Sequence, residues 1–163
     1  MAEPAGPPEL HLEMYSQARL LAAARAMAGN FAQRVGFDEV ACGQISLAID
    51  EALCNIINHG YERRPDGRIW LSIWELRGEF RGIHVMVEDR ARQVDPGSIR
   101  PRDLDDIRPG GLGVFIIREI MENVVYERRD GGGMRLRMSK RLSPADHEPA
   151  RVPSARTGGE GEA

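Results

Sequence analysis

The sequence predicts an α+β domain in which helices cover one face of a β-sheet. Two segments, residues 16–35 and 38–60, have the apolar periodicity and the terminal residues of helices. Two pairs of strands joined by short turns follow, within residues 68–89 and 124–142. Apolar residues alternate along the first pair, so one face of this sheet is expected to pack against the helices.

The first elements along the chain are a short edge strand and two helices. Residues 10–15 are expected to form the strand, and Ser16 is expected to cap a helix that ends at Gly36. Asp38 is a suitable N-cap for the second helix, and Gly60 is expected to close that helix at the C′ position.

The remaining elements are two strand pairs separated by a long loop and a helix. Strands are expected at 68–76 and 80–89. Residues 91–110 form a proline-containing loop, and a loop of that length inside a compact domain is usually a functional lid or a disordered segment. A helix and the last two strands are then expected, at 112–122, 124–129 and 134–142.

The composition fits one domain of soluble type. A length of 163 residues suits a single core, which is expected to span residues 10–142. Residues 1–9 and 143–163 are expected to be disordered, because they are rich in proline, glycine and charge and have little to bury. The net charge of -3 gives no electrostatic reason to expect nucleic acid as the main partner.

Targeting signals and cysteine usage indicate a cytoplasmic protein without a membrane segment. No apolar run approaches the roughly 18–20 residues needed to span a bilayer, and the N-terminus lacks the features of a signal peptide. Cys42 and Cys54 lie in one predicted helix and resemble buried, reduced thiols. No cluster of cysteine and histidine has the spacing of a zinc site.

The second predicted helix carries a carboxylate and a carboxamide on its polar face. Glu51 and Asn55 have the i, i+4 spacing that places two side chains on the same side of a helix. The Asn carbonyl is a hard oxygen ligand, and a Glu can take a proton from a nucleophile. The pair therefore suits an Mg²⁺–phosphate site, although taken alone it is also typical of an ordinary solvated helix.

The two faces of the first strand pair carry different chemistry. Asp89 ends its strand on the apolar, helix-covered side, where an unpaired carboxylate is costly to bury. It either caps the following loop or accepts a hydrogen bond from an amino group of a ligand. Trp70, Trp74, Arg135 and Arg137 lie on the other face, which is either a partner surface or an open face where arginines stack on tryptophans.

A glycine-rich segment precedes the third helix. Residues 108–117 read RPGGLGVFII, so that Gly110, Gly111 and Gly113 lead into a helix. Glycines at such a position let backbone N–H groups approach an anion, and the helix N-terminus favours negative charge. The spacing matches neither the dinucleotide-binding fingerprint nor a Walker A loop.

Taken in order, three segments resemble one known superfamily. EALCNIINHGY, VEDRARQVDP and PGGLGVFIIREIMENVVYERRDGG resemble the histidine-kinase-like (GHKL) ATPases, and within them the small stand-alone anti-sigma-factor serine kinases. The resemblance covers residues 10–142. It implies the Bergerat-type ATP-binding fold, a two-layer α/β sandwich with helices on one face of a mixed, largely antiparallel sheet. ATP would lie between helices and sheet under a mobile lid.

The same resemblance implies a role for each candidate site residue. Glu51 matches the family's general base, and Asn55 matches the asparagine that holds Mg²⁺ against the triphosphate. Asp89 matches the aspartate that accepts a hydrogen bond from the adenine amino group. Gly110, Gly111 and Gly113 match the glycines of the phosphate-binding box.

Four further positions affect how tightly this site would bind ATP. Arg108, beside the glycines, is either a γ-phosphate contact or a solvated lid arginine. Ala91 and Gln93 stand where the family often has glycine or proline, and Met134 stands where a threonine often supports the adenine site. A positive φ at Ala91 would cost about 1 kcal/mol. The missing threonine hydrogen bond would cost about 0.5–1.5 kcal/mol, so that ATP would bind about tenfold more weakly, or worse.

The resemblance therefore implies a serine/threonine protein kinase that uses ATP and Mg²⁺. It would phosphorylate a small anti-sigma-factor antagonist protein and sequester a sigma factor; a homodimer is possible, and neither nucleic acid nor membrane is an expected partner. The alternative is a partner-switching binding module with weak or no kinase activity. A fragment of a sensor histidine kinase is disfavoured, since no dimerisation helix with a phospho-acceptor histidine precedes the domain.

Overall fold

The computed structural model of the chain describes residue 4 and residues 6–99 and 112–143. Its main elements are β1 (Leu10–Tyr15), α1 (Leu21–Val35), α2 (Glu39–Asn55), β2 (Arg68–Leu76), β3 (Gly82–Asp89), α3 (Leu112–Ile120), β4 (Glu122–Arg128) and β5 (Met134–Arg141). The strands form one sheet in the spatial order β1-β2-β3-β5-β4, and every pairing between the described strands is antiparallel. The predicted α+β class is confirmed, with an edge strand at residues 10–15 as expected.

One face of the sheet packs against the helices. Ile83, Val85 and Val87 alternate toward this face along β3 and are fully buried, as the strand pattern predicted. Helix α2 contacts α1 on one side and α3 on the other. The core therefore lies between a helical layer and a sheet, with α2 at its centre.

Helix α2 is unusually long and apolar for a helix in a domain of this size. With the turn that continues it, it forms the helical run Glu39–Gly60, which by length and composition is apolar enough to cross a bilayer. A helix of this length was predicted at residues 38–60, but no segment apolar enough to span a bilayer was expected from the sequence. Its apolar residues Ile45, Ile49 and Leu53 have no exposed surface in the described domain, so packing in the domain core accounts for these three residues.

Two of the four predicted helix ends are confirmed. Gly36 ends α1 in the left-handed conformation, with φ of 114°, which a residue without Cβ adopts at little cost. Asp38 caps α2 by accepting a hydrogen bond from the backbone N–H of Ala41 at 2.7 Å.

The prediction that Ser16 caps α1 is wrong. A short 3₁₀ turn, Ala18–Leu20, precedes the helix. The buried hydroxyl of Ser16 instead donates to the carbonyl of Arg64 and accepts from the backbone N–H of Gly67 at 2.9 Å. Ser16 thus connects the end of β1 to the loop that enters β2. Its hydroxyl provides hydrogen-bond partners for two backbone groups of that loop, the carbonyl of Arg64 and the N–H of Gly67.

The prediction that Gly60 stands at the C′ position is also wrong, although the helical run ends at this residue. Helix α2 continues directly into a π-helical turn, Ile56–Gly60, and Gly60 has no positive φ. A Cβ added to Gly60 would lie 3.0 Å from the Cβ of Ala91. The glycine is thus the last residue of the helical run, and its lack of a side chain allows the close approach of Ala91.

The open face of the sheet carries stacked arginines, but not the ones expected. The guanidinium groups of Arg90 and Arg129 lie 5.3 and 5.2 Å from the centre of the Trp70 ring. Arg135 pairs instead with Glu88, at 2.9 Å. Of the two readings of this face, arginine–tryptophan stacking is thus observed, and its use as a partner surface stays a prediction.

Candidate functional site

The polar face of α2 meets the start of α3. Glu51 and Asn55 lie one turn apart on α2, as their spacing predicted. A Cβ placed on Gly113 would lie 2.6 Å from Oε2 of Glu51 and 3.2 Å from Nδ2 of Asn55. A side chain at this position would displace the carboxylate of Glu51, so the glycine lets α3 approach both side chains and the structure brings three of the candidate residues together.

The other glycines of this segment lie outside the described residues. Gly110, Gly111 and Arg108 are among them, and α3 is described from Leu112 onward. The first turn of a helix carries unpaired N–H groups and the positive end of the helix dipole. Placed beside Glu51 and Asn55, this turn can receive a phosphate group.

Asp89 is buried at the end of β3, with 3% of its surface exposed. Its Oδ1 atom accepts two hydrogen bonds, from the backbone N–H of Ala91 at 2.7 Å and of Met134 at 3.2 Å. Its Oδ2 atom accepts no hydrogen bond from the part of the chain that the structure describes. Capping of the following loop and acceptance of a ligand's amino group are thus compatible, since each can use a different oxygen.

The surroundings of Asp89 determine how readily its carboxyl ionises. Burial raises its pKa, while the N–H groups of Ala91 and Met134 and the guanidinium of Arg129 act in the opposite direction. A carboxylate in such a place gains from a further hydrogen-bond donor, because desolvation is the main cost of its charge.

Two side chains hold the backbone around Asp89 in place. The hydroxyl of Tyr61 donates to the carbonyl of Arg68 at 2.6 Å and accepts from the N–H groups of Arg68 and Arg90. Arg129 donates to the carbonyl of Asp89 at 2.7 Å. Both residues lie in segments that resemble the family, but sequence reasoning gave neither a role, since their contacts with the backbone around Asp89 form only in the folded domain.

The structure shows no backbone strain at Ala91, one of the departures from the family pattern. Ala91 is not among the described non-glycine residues with positive φ, so the strain considered for it does not arise. The side-chain amide of Gln93 donates to the carbonyls of Arg129 at 2.7 Å and of Gly133 at 3.2 Å. This residue therefore anchors the loop after β3 to the β4–β5 turn.

A cavity of about 240 Å³ connects Asn55 with Asp89. Its walls are mainly apolar and come from the sheet, from α3 and from the loop after β3; they include Val87, Leu136, Val114, Val94 and Ile99. Tyr126 and Met134 also line it. An apolar slot lined by a hydrogen-bond acceptor, Asp89, and an oxygen ligand, Asn55, suits a purine nucleotide.

The donor set also fits Mg²⁺ bound together with phosphates. No group of three or more His, Cys, Asp or Glu residues within 6–99 and 112–143 is placed to hold a metal ion by itself. Mg²⁺ is commonly bound through one or two protein oxygens, phosphate oxygens and waters. The carboxamide oxygen of Asn55 can be such a protein ligand.

The chain is similar to known proteins over most of this domain. Residues 14–140 match the family described as Histidine kinase-like ATPase domain. The chain is 34% identical over 91 residues to Serine/threonine-protein kinase BtrW of Bordetella bronchiseptica, a match that covers 53% of this chain and 62% of that protein. It therefore spans less than two thirds of the length of this relative.

Other matches cover more of the chain. Serine-protein kinase RsbW of Listeria monocytogenes is 27% identical over 122 residues, which cover 71% of this chain and 77% of that protein. Among solved structures, the histidine kinase domain from Erythrobacter litoralis EL346 blue-light activated histidine kinase has a TM-score of 0.43 at 20% identity, covering 85% of this chain and 64% of that chain. The resemblance seen in the sequence is confirmed by the family match and by the kinase names of the BtrW and RsbW relatives. The chain belongs to the histidine kinase-like ATPase domain family.

Proposed function

We propose that this chain is an ATP-dependent serine/threonine protein kinase of the anti-sigma type. It would phosphorylate a hydroxyl group of a small antagonist protein and sequester a sigma factor, in the cytoplasm. The observation that carries this proposal is the meeting of Glu51 and Asn55 with the first turn of α3, beside a cavity that leads to Asp89. The kinase names of the BtrW and RsbW relatives support the reaction class, and the two protein partners follow from the family resemblance.

Two side chains would bind and orient the nucleotide and its metal ion. Asp89 would accept a hydrogen bond from the adenine amino group through Oδ2, and Asn55 would hold Mg²⁺ through its carboxamide oxygen. The apolar cavity walls would exclude water from the base. Bound Mg-ATP supplies the γ-phosphoryl group and neutralises the charge of its phosphates, so the protein contributes mainly positioning.

Glu51 would act as the general base. When the hydroxyl oxygen of the protein substrate bonds to the γ-phosphorus, the bond from phosphorus to the bridging oxygen breaks and ADP leaves. The hydroxyl proton passes to the carboxylate of Glu51. Glu51 suits this task because it lies against α3, beside the metal-binding candidate Asn55, rather than in an ion pair with any described residue.

A partner-switching module with weak or no kinase activity is the second candidate. The observation in its favour is Met134, which lines the cavity next to Asp89 and offers no side-chain hydroxyl to the base. Such a module would bind its partners, and its nucleotide, without transferring phosphate.

The test is Glu51→Gln, which keeps the shape of the side chain and removes the proton acceptor. Phosphotransfer from labelled ATP to an antagonist encoded nearby should fall by roughly 10²–10⁴-fold, with nucleotide affinity and antagonist binding retained. Asp50→Asn is the matched control, since Asp50 faces α1 and pairs with Arg25 at 3.5 Å. This change should leave transfer close to the wild-type rate.

The outcomes separate the two candidates. Wild-type protein that binds ATP and the antagonist but transfers no phosphate supports the switching module. Equal transfer rates for wild type and Glu51→Gln would exclude Glu51 as the base while leaving the kinase activity established.

A further inference from the structure

Tyr126 lies in the wall of the cavity and has no role in the function proposed above. It belongs to β4 and pairs with Leu136 of β5, which in turn pairs with Val87 of β3. All three residues line the cavity. Their side chains therefore form one row across the floor of the site, next to the position of Asp89 and Met134.

The hydroxyl of Tyr126 is buried without a hydrogen-bond partner in the part of the chain that the structure describes. Burial raises the pKa of this phenol to about 12, and the nearby charge of Arg118 offsets only part of that effect. The group is thus a neutral O–H donor and acceptor under physiological conditions. A buried polar group with no partner is costly, and a ligand that supplies the missing hydrogen bond is one explanation for such a group.

We propose that the Tyr126 hydroxyl forms a hydrogen bond with the nucleoside part of the bound nucleotide. This inference rests on the proposed function, because it assigns a further contact to the same nucleotide site. The row of Val87, Leu136 and Tyr126 runs across the three strands. Asp89 and Met134, where the base would bind, lie beside this row, two residues along β3 and β5. Asn55 and Gly113, the candidates for the metal and the phosphates, come from the helical layer instead.

Because the hydroxyl has no partner in the described residues, its removal should have opposite effects on the free protein and on the nucleotide complex. In the free protein the hydroxyl costs stability, because it is desolvated and unpaired. In the complex it contributes a hydrogen bond. Removing it should therefore stabilise the free protein and weaken the complex, whereas loss of an ordinary structural hydroxyl would destabilise the free protein.

The experiment is Tyr126→Phe, measured by calorimetry with ADP and Mg²⁺ and by thermal unfolding without nucleotide. The dissociation constant for ADP should rise about 3- to 12-fold. The melting temperature of the free protein should rise by about 2–6 °C. Tyr15→Phe is the matched control, since Tyr15 is 45% exposed in β1, away from the cavity, and should change neither value.

Comparing the affinities for adenosine, ADP and ATP shows which part of the nucleotide Tyr126 contacts. The loss of affinity in Tyr126→Phe should be the same for adenosine, ADP and ATP, because all three share the nucleoside. A loss confined to ATP would place the contact at the γ-phosphate and overturn the assignment. Unchanged ADP affinity, or a lower melting temperature of the free variant, would overturn it as well.

The same data distinguish failure of this inference from failure of the proposed function. If wild-type protein binds no adenine nucleotide, both fall together. If it binds ADP and transfers phosphate, but Tyr126→Phe binds ADP equally well, only the role of Tyr126 is lost.

Discussion

At the scale of single residues, Asp89 uses its two carboxylate oxygens differently. Oδ1 accepts the backbone N–H groups of Ala91 and Met134, so it fixes the end of β3 relative to β5. Oδ2 accepts no hydrogen bond from the described residues, and we propose that it accepts one from a ligand. Since one oxygen is structural and the other is not, the two roles can be separated by a substitution that keeps a single acceptor oxygen.

Asp89→Asn should discriminate against adenine without unfolding the domain. The amide oxygen can still accept the two backbone N–H groups, whereas its NH₂ group repels the amino group of adenine but tolerates the carbonyl of guanine. Competition binding should show a larger loss for ATP than for GTP. An unchanged ATP/GTP ratio would remove Asp89 from the base site.

The difference in stability between Asp89→Asn and wild type should depend on pH in a defined direction. Burial raises the pKa of Asp89 in the folded state, so ionisation costs stability as the pH rises from about 4, its usual unfolded value, through the folded pKa. Asn remains neutral. Urea unfolding without nucleotide should therefore show that the free energy of unfolding of Asp89→Asn rises relative to that of wild type over this pH range. Below the range the difference between the two proteins should be constant.

At the scale of elements, the β4–β5 turn fits beneath the end of β3. Gly133 has φ of 87°, and a Cβ there would collide with the carbonyl of Asp89. Arg129, which begins the turn, donates to that same carbonyl, and Gln93 reaches back from the loop after β3 to the turn. The position of the Asp89 carboxylate thus depends on a hairpin whose Met134 lies 45 residues further along the chain.

Gly133→Ala should displace Asp89, and Gly131→Ala is its matched control. Both positions have positive φ, so both variants should lose about 1 kcal/mol from backbone strain. A Cβ at Gly131 meets nothing within 4 Å, whereas at Gly133 it meets the backbone of Asp89. Chemical unfolding should therefore show a clearly larger loss for Gly133→Ala, accompanied by weaker ATP binding. Equal losses in the two variants would contradict the role of the turn.

At the scale of the whole molecule, the site joins the helical layer to the sheet. Asn55 belongs to α2 and Asp89 to β3, and the cavity lies between these layers. A nucleotide that contacts both layers binds only the folded domain. It should therefore stabilise the entire domain by mass action, by about 2.7 kcal/mol at a ligand concentration one hundred times the dissociation constant.

Asn55→Ala should abolish this stabilisation. Removing one of the few protein ligands of a hard cation should greatly weaken Mg²⁺-dependent nucleotide binding. Thermal unfolding with Mg-ATP should shift wild type upward by several degrees, and the shift should disappear in Asn55→Ala and in wild type treated with a chelator. Asn58→Ala is the control on the same helical run, since Asn58 is exposed and contacts Arg63. Equal shifts in Asn55→Ala and wild type would exclude the metal role.

Local patterns in the sequence determined most of the elements. The i, i+4 spacing of Glu51 and Asn55, the cap at Asp38 and the alternation that turns Asp89 inward all follow from the geometry of a single helix or strand. The family resemblance added the roles, which remain predictions for the individual site residues. Ser16 and Gly60 were misassigned, since each has the composition of a helix end but is used in a contact between distant segments.

Only the tertiary structure decided how the site is assembled. The approach of Gly113 to Glu51, the fixing of Asp89 by Arg129 and the orphaned hydroxyl of Tyr126 each depend on residues that are far apart in the chain. Periodicity records which face of an element is buried, but it does not record which atoms meet across the core. The sequence by itself therefore determined the layers, the family and the candidate residues, while packing between the layers decided which polar groups are paired and which remain for a ligand.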